Sequence, residues 1–427
     1  MPESRKDFLT KLGAGFLLAA GSQTELFGRD GFDAGIDSTD FIGGGEANDE
    51  KFWKNLRKKY YNVSREYVNL ENGYFGVQSI PVLKTFQKNI EFVNKELSHF
   101  ARVEYPAVFT AIRKELSVFL QVSEEELIIT KNATEALNIA IQGYPFNTGD
   151  EVILNQLDYP SVIETFQMLE KRGKIKIKYL ELPLLPKNEE EIINEYAKAI
   201  TEKTRVIMLT HISNVNGLIV PIKRIIALAR EKKIDTIVDS AHALGHIPFS
   251  IPEMDADFVG MNLHKWIGNP IGAGVLYVNK KRVNEMQPLF GDNKQAENNI
   301  LKLAHFGTIP FAVHLTIPAS LKFHHQLGIQ RITERLHHLK NVWISEFQNH
   351  SGVEIVTPAS LSCGIASFKI KNKPVPDTVQ QLMKEYKIFT VARDIGKEKC
   401  IRVTPSVYTL ESDVRELILA VKKISNS

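Results

Sequence analysis

Cysteine is scarce in this chain: Cys363 and Cys400 are the only two in 427 residues. Two thiols cannot make a disulfide framework or a four-cysteine zinc site. Charge imbalance is missing as well. Fifty-three Lys and Arg stand against 50 Asp and Glu, a net charge of +3, so a nucleic-acid partner is not expected. No apolar run reaches the roughly 18 residues of a membrane span, so stable membrane insertion is not expected either. No G-x-G-x-x-G follows the first candidate strand, which removes the main support for a nicotinamide enzyme. The pairs His324-His325 and His337-His338 fall in a stretch of helical period. Adjacent positions do not share a helix face, so they suggest a solvated helix and no metal site. What remains is a chain 43% hydrophobic and 24% charged. At about 100–200 residues per domain, its length suggests two or three folded units.

Residues 1–50 stand apart. Ser4-Arg5-Lys6-Asp7-Phe8-Leu9-Thr10-Lys11 is basic, the short apolar stretch Leu12–Ala20 follows, and then the chain turns polar. That order is the layout of a secretory signal. The run SRKDFL resembles a twin-arginine export signal with Lys6 at the second arginine. A periplasmic or exported protein is the expectation; the alternative is a cytoplasmic one with a terminal appendage. Residues 21–50, with Gly43-Gly44-Gly45, read as a flexible linker.

From residue 124 onward, short β-rich runs alternate with segments of helical period. The expected strands are Leu127–Thr130, Glu151–Asn155, Ile175–Leu182, Arg205–His211, Thr236–Asp239, Asp257–Met261 and Ala273–Val278. Several are continuous apolar runs, as strands buried on both faces require. Such alternation predicts an α/β domain with a mostly parallel seven-stranded sheet flanked by helices. Ligands in these sheets bind beyond the carboxyl ends of the strands. After about residue 310 the pattern changes to a long helical stretch, Leu315–Asn349, then the β-rich runs Ile365–Ile370 and Ile401–Thr404 and a helix at Ser412–Ile424. Residues 75–310 are therefore expected to form the large domain, and 51–74 with 311–427 a smaller α+β domain.

The chemistry concentrates in Thr236–Val278. The strand Thr236-Ile237-Val238 ends in Asp239, followed by Ser240-Ala241-His242-Ala243. A carboxylate at the end of a buried strand needs a cationic partner or a helix to cap. Downstream, Asn262-Leu263-His264-Lys265-Trp266 follows a second strand, with Gly268, Gly272 and Gly274 beyond it. Burial lowers a lysine's pKa and makes it a nucleophile toward carbonyls, although most lysines are simply solvated.

Together the runs VDSAHALGHIP, MDADFVGMNLHKW and GAGVLYV resemble the class V aminotransferases, pyridoxal-phosphate enzymes of fold type I. The D-x-A-H-A and N-x-H-K-W runs are most similar to the isopenicillin N epimerase-like subgroup. The resemblance spans nearly all of residues 65–425. It implies pyridoxal 5'-phosphate as cofactor, held by Lys265 as a Schiff base, with Asp239 on the pyridine nitrogen. It implies a phosphate loop at Ala133 and Thr134, with His264 as a further phosphate contact. Asn214 and His242 would approach the cofactor O3′. Tyr159, in Asp158-Tyr159-Pro160, would stack on the ring where many relatives carry His, an acid/base group that Tyr replaces poorly near neutral pH. Thr308, in Gly307-Thr308-Ile309-Pro310, would reach the phosphate of a neighbouring subunit, which implies a homodimer. Arg402 would grip the carboxylate of an amino-acid substrate as a bidentate fork, with Asn72 and Tyr74 near the substrate entrance.

The resemblance leaves epimerisation, C–S lysis and amino transfer open. Cysteine desulfurases and selenocysteine lyases of the family carry a nucleophilic Cys on a loop before the arginine. Here that region reads Tyr386-Lys387-Ile388-Phe389. A retired binding fold would have lost Lys265, Asp239 or Arg402, and all three are present.

Overall fold

Residues 42–291 and 295–426 are described by a computed structural model. The signal-like segment lies outside the described residues, as does the linker up to residue 41. The strands in chain order are β1 (Val68–Asn69), β2 (Leu127–Thr130), β3 (Asp150–Asn155), β4 (Ile175–Leu180), β5 (Thr204–Thr210), β6 (Asp235–Asp239), β7 (Phe258–Asn262), β8 (Gly274–Val278), β9 (Val353–Ile355), β10 (Ala366–Ile370), β11 (Ile388–Phe389), β12 (Val391–Ile395) and β13 (Glu398–Val403).

Seven of these form one sheet in the order β2-β8-β7-β6-β5-β3-β4, and every pairing is parallel except those of β8. The apolar runs explain why the sheet is central. On β5, Val206 and Met208 join one hydrophobic cluster while Ile207 and Leu209 join the other. Alternate side chains leave opposite faces of a strand, so a continuous apolar run builds two cores at once. Helices on each side cover both, as a parallel sheet requires. This is the α/β sheet of fold type I expected from the sequence.

A four-stranded antiparallel sheet, β12-β13-β10-β9, carries a smaller core around Trp343, Phe347, Phe368 and Leu417. The early strand β1 pairs with β11, and Glu71 bridges Thr404 just beyond it. Two features differ from the sequence reading. The helical stretch expected over Leu315–Asn349 is two helices, Phe311–Leu327 and Ile329–Phe347, broken at Gly328, whose φ of +81° is poorly tolerated by residues with a Cβ. The first of them, placed by sequence with the smaller domain, contributes Val313, Leu315, Ile317 and Leu321 to the large core. For the same reason His324 is buried against the Gly245 carbonyl (3.1 Å) and is not solvated. No helix among the described residues is long and apolar enough to cross a membrane.

Candidate active site

Strands β2, β3, β5, β6 and β7 all point their carboxyl ends to one edge of the sheet, and a cavity of about 300 Å³ opens there. Ala133, Thr134, Tyr159, Asn214, Asp239, His242, His264 and Lys265 all line it, and Tyr74 stands at its mouth. Phe75 and Ile271, which the sequence reading did not name, also line it, as do Asn262 and Gly272, which it named only as neighbours of Lys265. Their signal was only positional, since each flanks a strand end or a residue already named.

Lys265 is held by its neighbours. Its Nζ lies 3.1 Å from Nε2 of His242. The other ring nitrogen of His242, Nδ1, receives the indole N–H of Trp266 at 3.4 Å. An indole N–H only donates, so neutral His242 carries its proton on Nε2 and donates it to Lys265. Only the neutral form of the lysine can accept that hydrogen bond. Burial points the same way, lowering Lys265 from 10.5 to about 8 against the opposing pull of Asp239. It also keeps His242 well below its ordinary value, with Lys265 and Arg402 adding to the effect.

A second histidine fixes the first. His246 stacks on Trp266 at 4.1 Å. Its Nε2 accepts the Gly364 N–H at 2.8 Å, so its Nδ1–H donates to the His242 carbonyl at 3.0 Å. Behind Lys265 the chain passes too closely for any side chain. A Cβ on Gly76 would lie 2.1 Å from the Lys265 carbonyl oxygen, and the Gly76 N–H donates to the His264 carbonyl.

Asp239 ends β6 with Oδ1 accepting the Ala241 N–H at 2.9 Å. Burial raises its pKa, while that hydrogen bond and Lys265 oppose the rise. Such a carboxylate favours any cation brought to it, and a protonated pyridine nitrogen is one. Asn214, in the turn after β5, has a buried Oδ1 with no hydrogen-bond partner. That orphaned acceptor faces the same cavity and calls for a donor from a bound molecule.

The phosphate end is narrower than the sequence implied. Asn132 caps the helix Ala133–Gly143 by accepting the Glu135 N–H at 2.8 Å. The Ala133 N–H donates to Asn262 Oδ1 at 2.7 Å. The N–H and hydroxyl of Thr134 remain at this helix N-terminus, where an anion is favoured. His264 donates Nδ1–H to the Ala273 carbonyl at 3.2 Å, and burial lowers it to about 4. It becomes a phosphate donor on Nε2 only when an anion draws a proton onto it. Tyr159 is 39% exposed, with its ring at the cavity wall. These residues fit pyridoxal 5'-phosphate at each end: a carboxylate for the ring nitrogen, an amine for the aldehyde and a helix N-terminus for the phosphate.

Three sequence-assigned residues do not line the cavity. Thr308 is exposed on the segment that passes the rim, where Pro310 lies beside Gly272. Asn72 is buried in a structural network, accepting the Tyr408 hydroxyl at 2.6 Å and donating to the Thr404 carbonyl at 2.9 Å. Arg402 is 1% exposed, and its fork already holds a carboxylate of its own chain, that of Glu71. The sequence contained no signal for that partner.

Comparison with known proteins agrees with this geometry. The chain is 24% identical to the isopenicillin N epimerase of Amycolatopsis lactamdurans over 396 residues, covering 87% of this chain and 98% of that one. It is 20% identical to the hercynylcysteine sulfoxide lyase of Schizosaccharomyces pombe over 376 residues, covering 86% and 96%. In three dimensions it is similar to a mutant of C-DES with glycine covalently linked to its PLP cofactor. That match has a TM-score of 0.77 at 19% identity and covers 86% of this chain and 98% of that one. Residues 82–417 match the family described as Aminotransferase class-V, and the chain belongs to that family of pyridoxal-phosphate enzymes.

Proposed function

We propose that this enzyme removes a proton from Cα of an amino acid, with Lys265 as the base, and needs no protein thiol to finish its reaction. The observation that carries this is the Lys265 amine, buried, lowered to about 8 and aimed by the His242 Nε2–H. Bound pyridoxal phosphate supplies the electron sink for a bond broken at Cα. Asp239 would hold positive charge on the ring nitrogen, Thr134 and His264 would anchor the phosphate, and His242 orients the neutral form of the lysine amine. A base with a pKa near the working pH moves protons in both directions efficiently.

Sulfur transfer through a protein persulfide is the weaker reading. Both cysteines are buried, and burial pushes the Cys363 thiol up to about 12 and also raises Cys400. Neither is a reactive thiolate. Epimerisation, C–S lysis and amino transfer all begin with the same deprotonation.

The test is deuterium uptake at Cα across a panel of amino acids in D2O, read by NMR beside the visible spectrum. Exchange that disappears in Lys265→Ala supports the reading, and products then separate the three outcomes. A colourless protein that takes up no pyridoxal phosphate would overturn it.

Two further proposals accompany this one. A homodimer is supported by exposed Tyr74, Phe75 and Ile271 around the cavity mouth and by Thr308, which is exposed and does not line the cavity of its own chain; sedimentation of the purified protein by analytical ultracentrifugation tests it. Export is supported by the basic-then-apolar N-terminus alone; fractionation of cells making the full chain tests that.

A further inference from the structure

A second carboxylate, Asp158, lies behind the cavity. It follows β3, two strands across the sheet from Asp239 on β6, and it is 3% exposed. Its Oδ2 accepts the Asn155 backbone N–H at 2.8 Å. Its Oδ1 accepts the Asn155 side-chain amide at 2.8 Å and the Thr210 hydroxyl at 2.7 Å. Asn155 Oδ1 takes the Leu157 N–H at 2.8 Å, which leaves the amide NH2 facing Asp158. Three donors therefore converge on one buried carboxyl group. Among the described residues no lysine, arginine or histidine pairs with it; the charge that bears on it is another carboxylate, Asp239.

Closing the turn after β3 needs only the two bonds with Asn155. The third bond reaches across to β5, and its donor lines the cavity. Thr210 is also the ladder partner of Asp239, so Asp158, Thr210 and Asp239 form a row across the carboxyl ends of β3, β5 and β6. A buried carboxylate without a cation is costly. Burial, with the charge of Asp239 adding to it, pushes Asp158 up to about 7 against the pull of its hydrogen bonds. A cation brought to Asp239 relieves both carboxylates at once.

We propose that Asp158 is a positioning residue for the cofactor's ring nitrogen: held by Thr210 alongside Asp239, it adds a second negative charge that keeps that nitrogen protonated. It also closes the turn that carries Tyr159, its neighbour in the chain. The inference rests on the fit of pyridoxal phosphate to the cavity and not on the reaction proposed above.

The test compares binding of pyridoxal 5'-phosphate to the apoprotein with binding of its 1-deaza analogue, which has C–H in place of the ring nitrogen. Both compounds offer the same aldehyde, phosphate and aromatic face, so Lys265, Thr134 and Tyr159 act on them alike. Only the first carries a ring charge. Asp158→Asn should weaken pyridoxal phosphate about tenfold more than the analogue. Thr210→Val keeps the carboxylate and removes its bond to β5, and should change the same ratio about threefold. Equal weakening of both compounds by Asp158→Asn would reduce the residue to turn closure and overturn the proposal, as would unaltered binding of pyridoxal phosphate. If Asp158→Asn does not fold, the Thr210→Val ratio decides, and an unchanged ratio overturns it. Wild-type protein that holds the two compounds equally would also overturn it, while exchange at Cα through Lys265 would stand or fall separately.

Discussion

The two walls of the cavity are built in opposite ways. On the sheet side, each functional residue sits within a few positions of the end of a strand: Asp239 ends β6, Lys265 follows β7 by three residues, and Thr134 follows β2 by four. On the small-sheet side, Glu71 and Arg402 meet across 331 residues of chain. The first wall is rigid because buried strands place it. The second depends on how the segment after β1 docks against β13. Local chain geometry therefore places the sheet-side residues, while the pairing beside them is set by long-range docking.

Variants on each wall test that contrast. The largest effect is expected on the sheet side, where Lys265→Ala should abolish both borohydride trapping of the cofactor and Cα exchange. On the other wall, Glu71→Gln should cost about 3 kcal/mol or more of stability, because it leaves the buried Arg402 charge uncompensated. Thermal or urea unfolding of Glu71→Gln measures that loss, and a fall below about 1 kcal/mol would show the pair to be dispensable. Asp239→Asn should lower the rate of Cα exchange on the order of 10²–10³-fold with little change in folding, as loss of one preorganised charge does.

A smaller, pH-dependent effect separates the walls further. Pyridoxal phosphate uptake by the apoprotein needs the neutral Lys265 amine. With burial holding that group at about 8, roughly a tenth is neutral at pH 7, and the uptake rate should rise about tenfold from pH 7 to a plateau above 8. A rate still climbing at pH 10 would mean that the lysine keeps its ordinary value. The smallest change is expected at the ring-facing position. Tyr159→Phe should leave cofactor affinity nearly unaltered, and Tyr159→Ala should weaken it by about 0.5–1.5 kcal/mol, the usual worth of an aromatic stack. Equilibrium titration of the cofactor distinguishes the two.

Much of this protein was legible in its residue order. The β-rich runs marked all seven strands of the large sheet, several as the continuous apolar runs that burial on both faces requires, and the edge strand β4, IKIKYL, by alternation. The residues Asp239, His242, His264 and Lys265 could be named because each belongs to a short run whose geometry is local. The break at Gly328 was not legible, since helical period continues on both sides of it. Nor was the burial of His324, which only the packing of the helix Phe311–Leu327 against the large domain decides.

The tautomer of His242 needed the fold as well. Trp266 and His246 both lie inside the named runs, yet Gly364 must arrive from the segment before β10 before the hydrogen-bond chain has a direction. The sequence by itself determined the sheet, the family and the residues at the strand ends, because periodicity and strand–turn–helix motifs are properties of neighbouring positions. Only the tertiary structure decided that Arg402 is already paired with Glu71. Ion pairing between distant segments depends on which charges the docked domains bring within a few ångströms, and no local pattern encodes that distance.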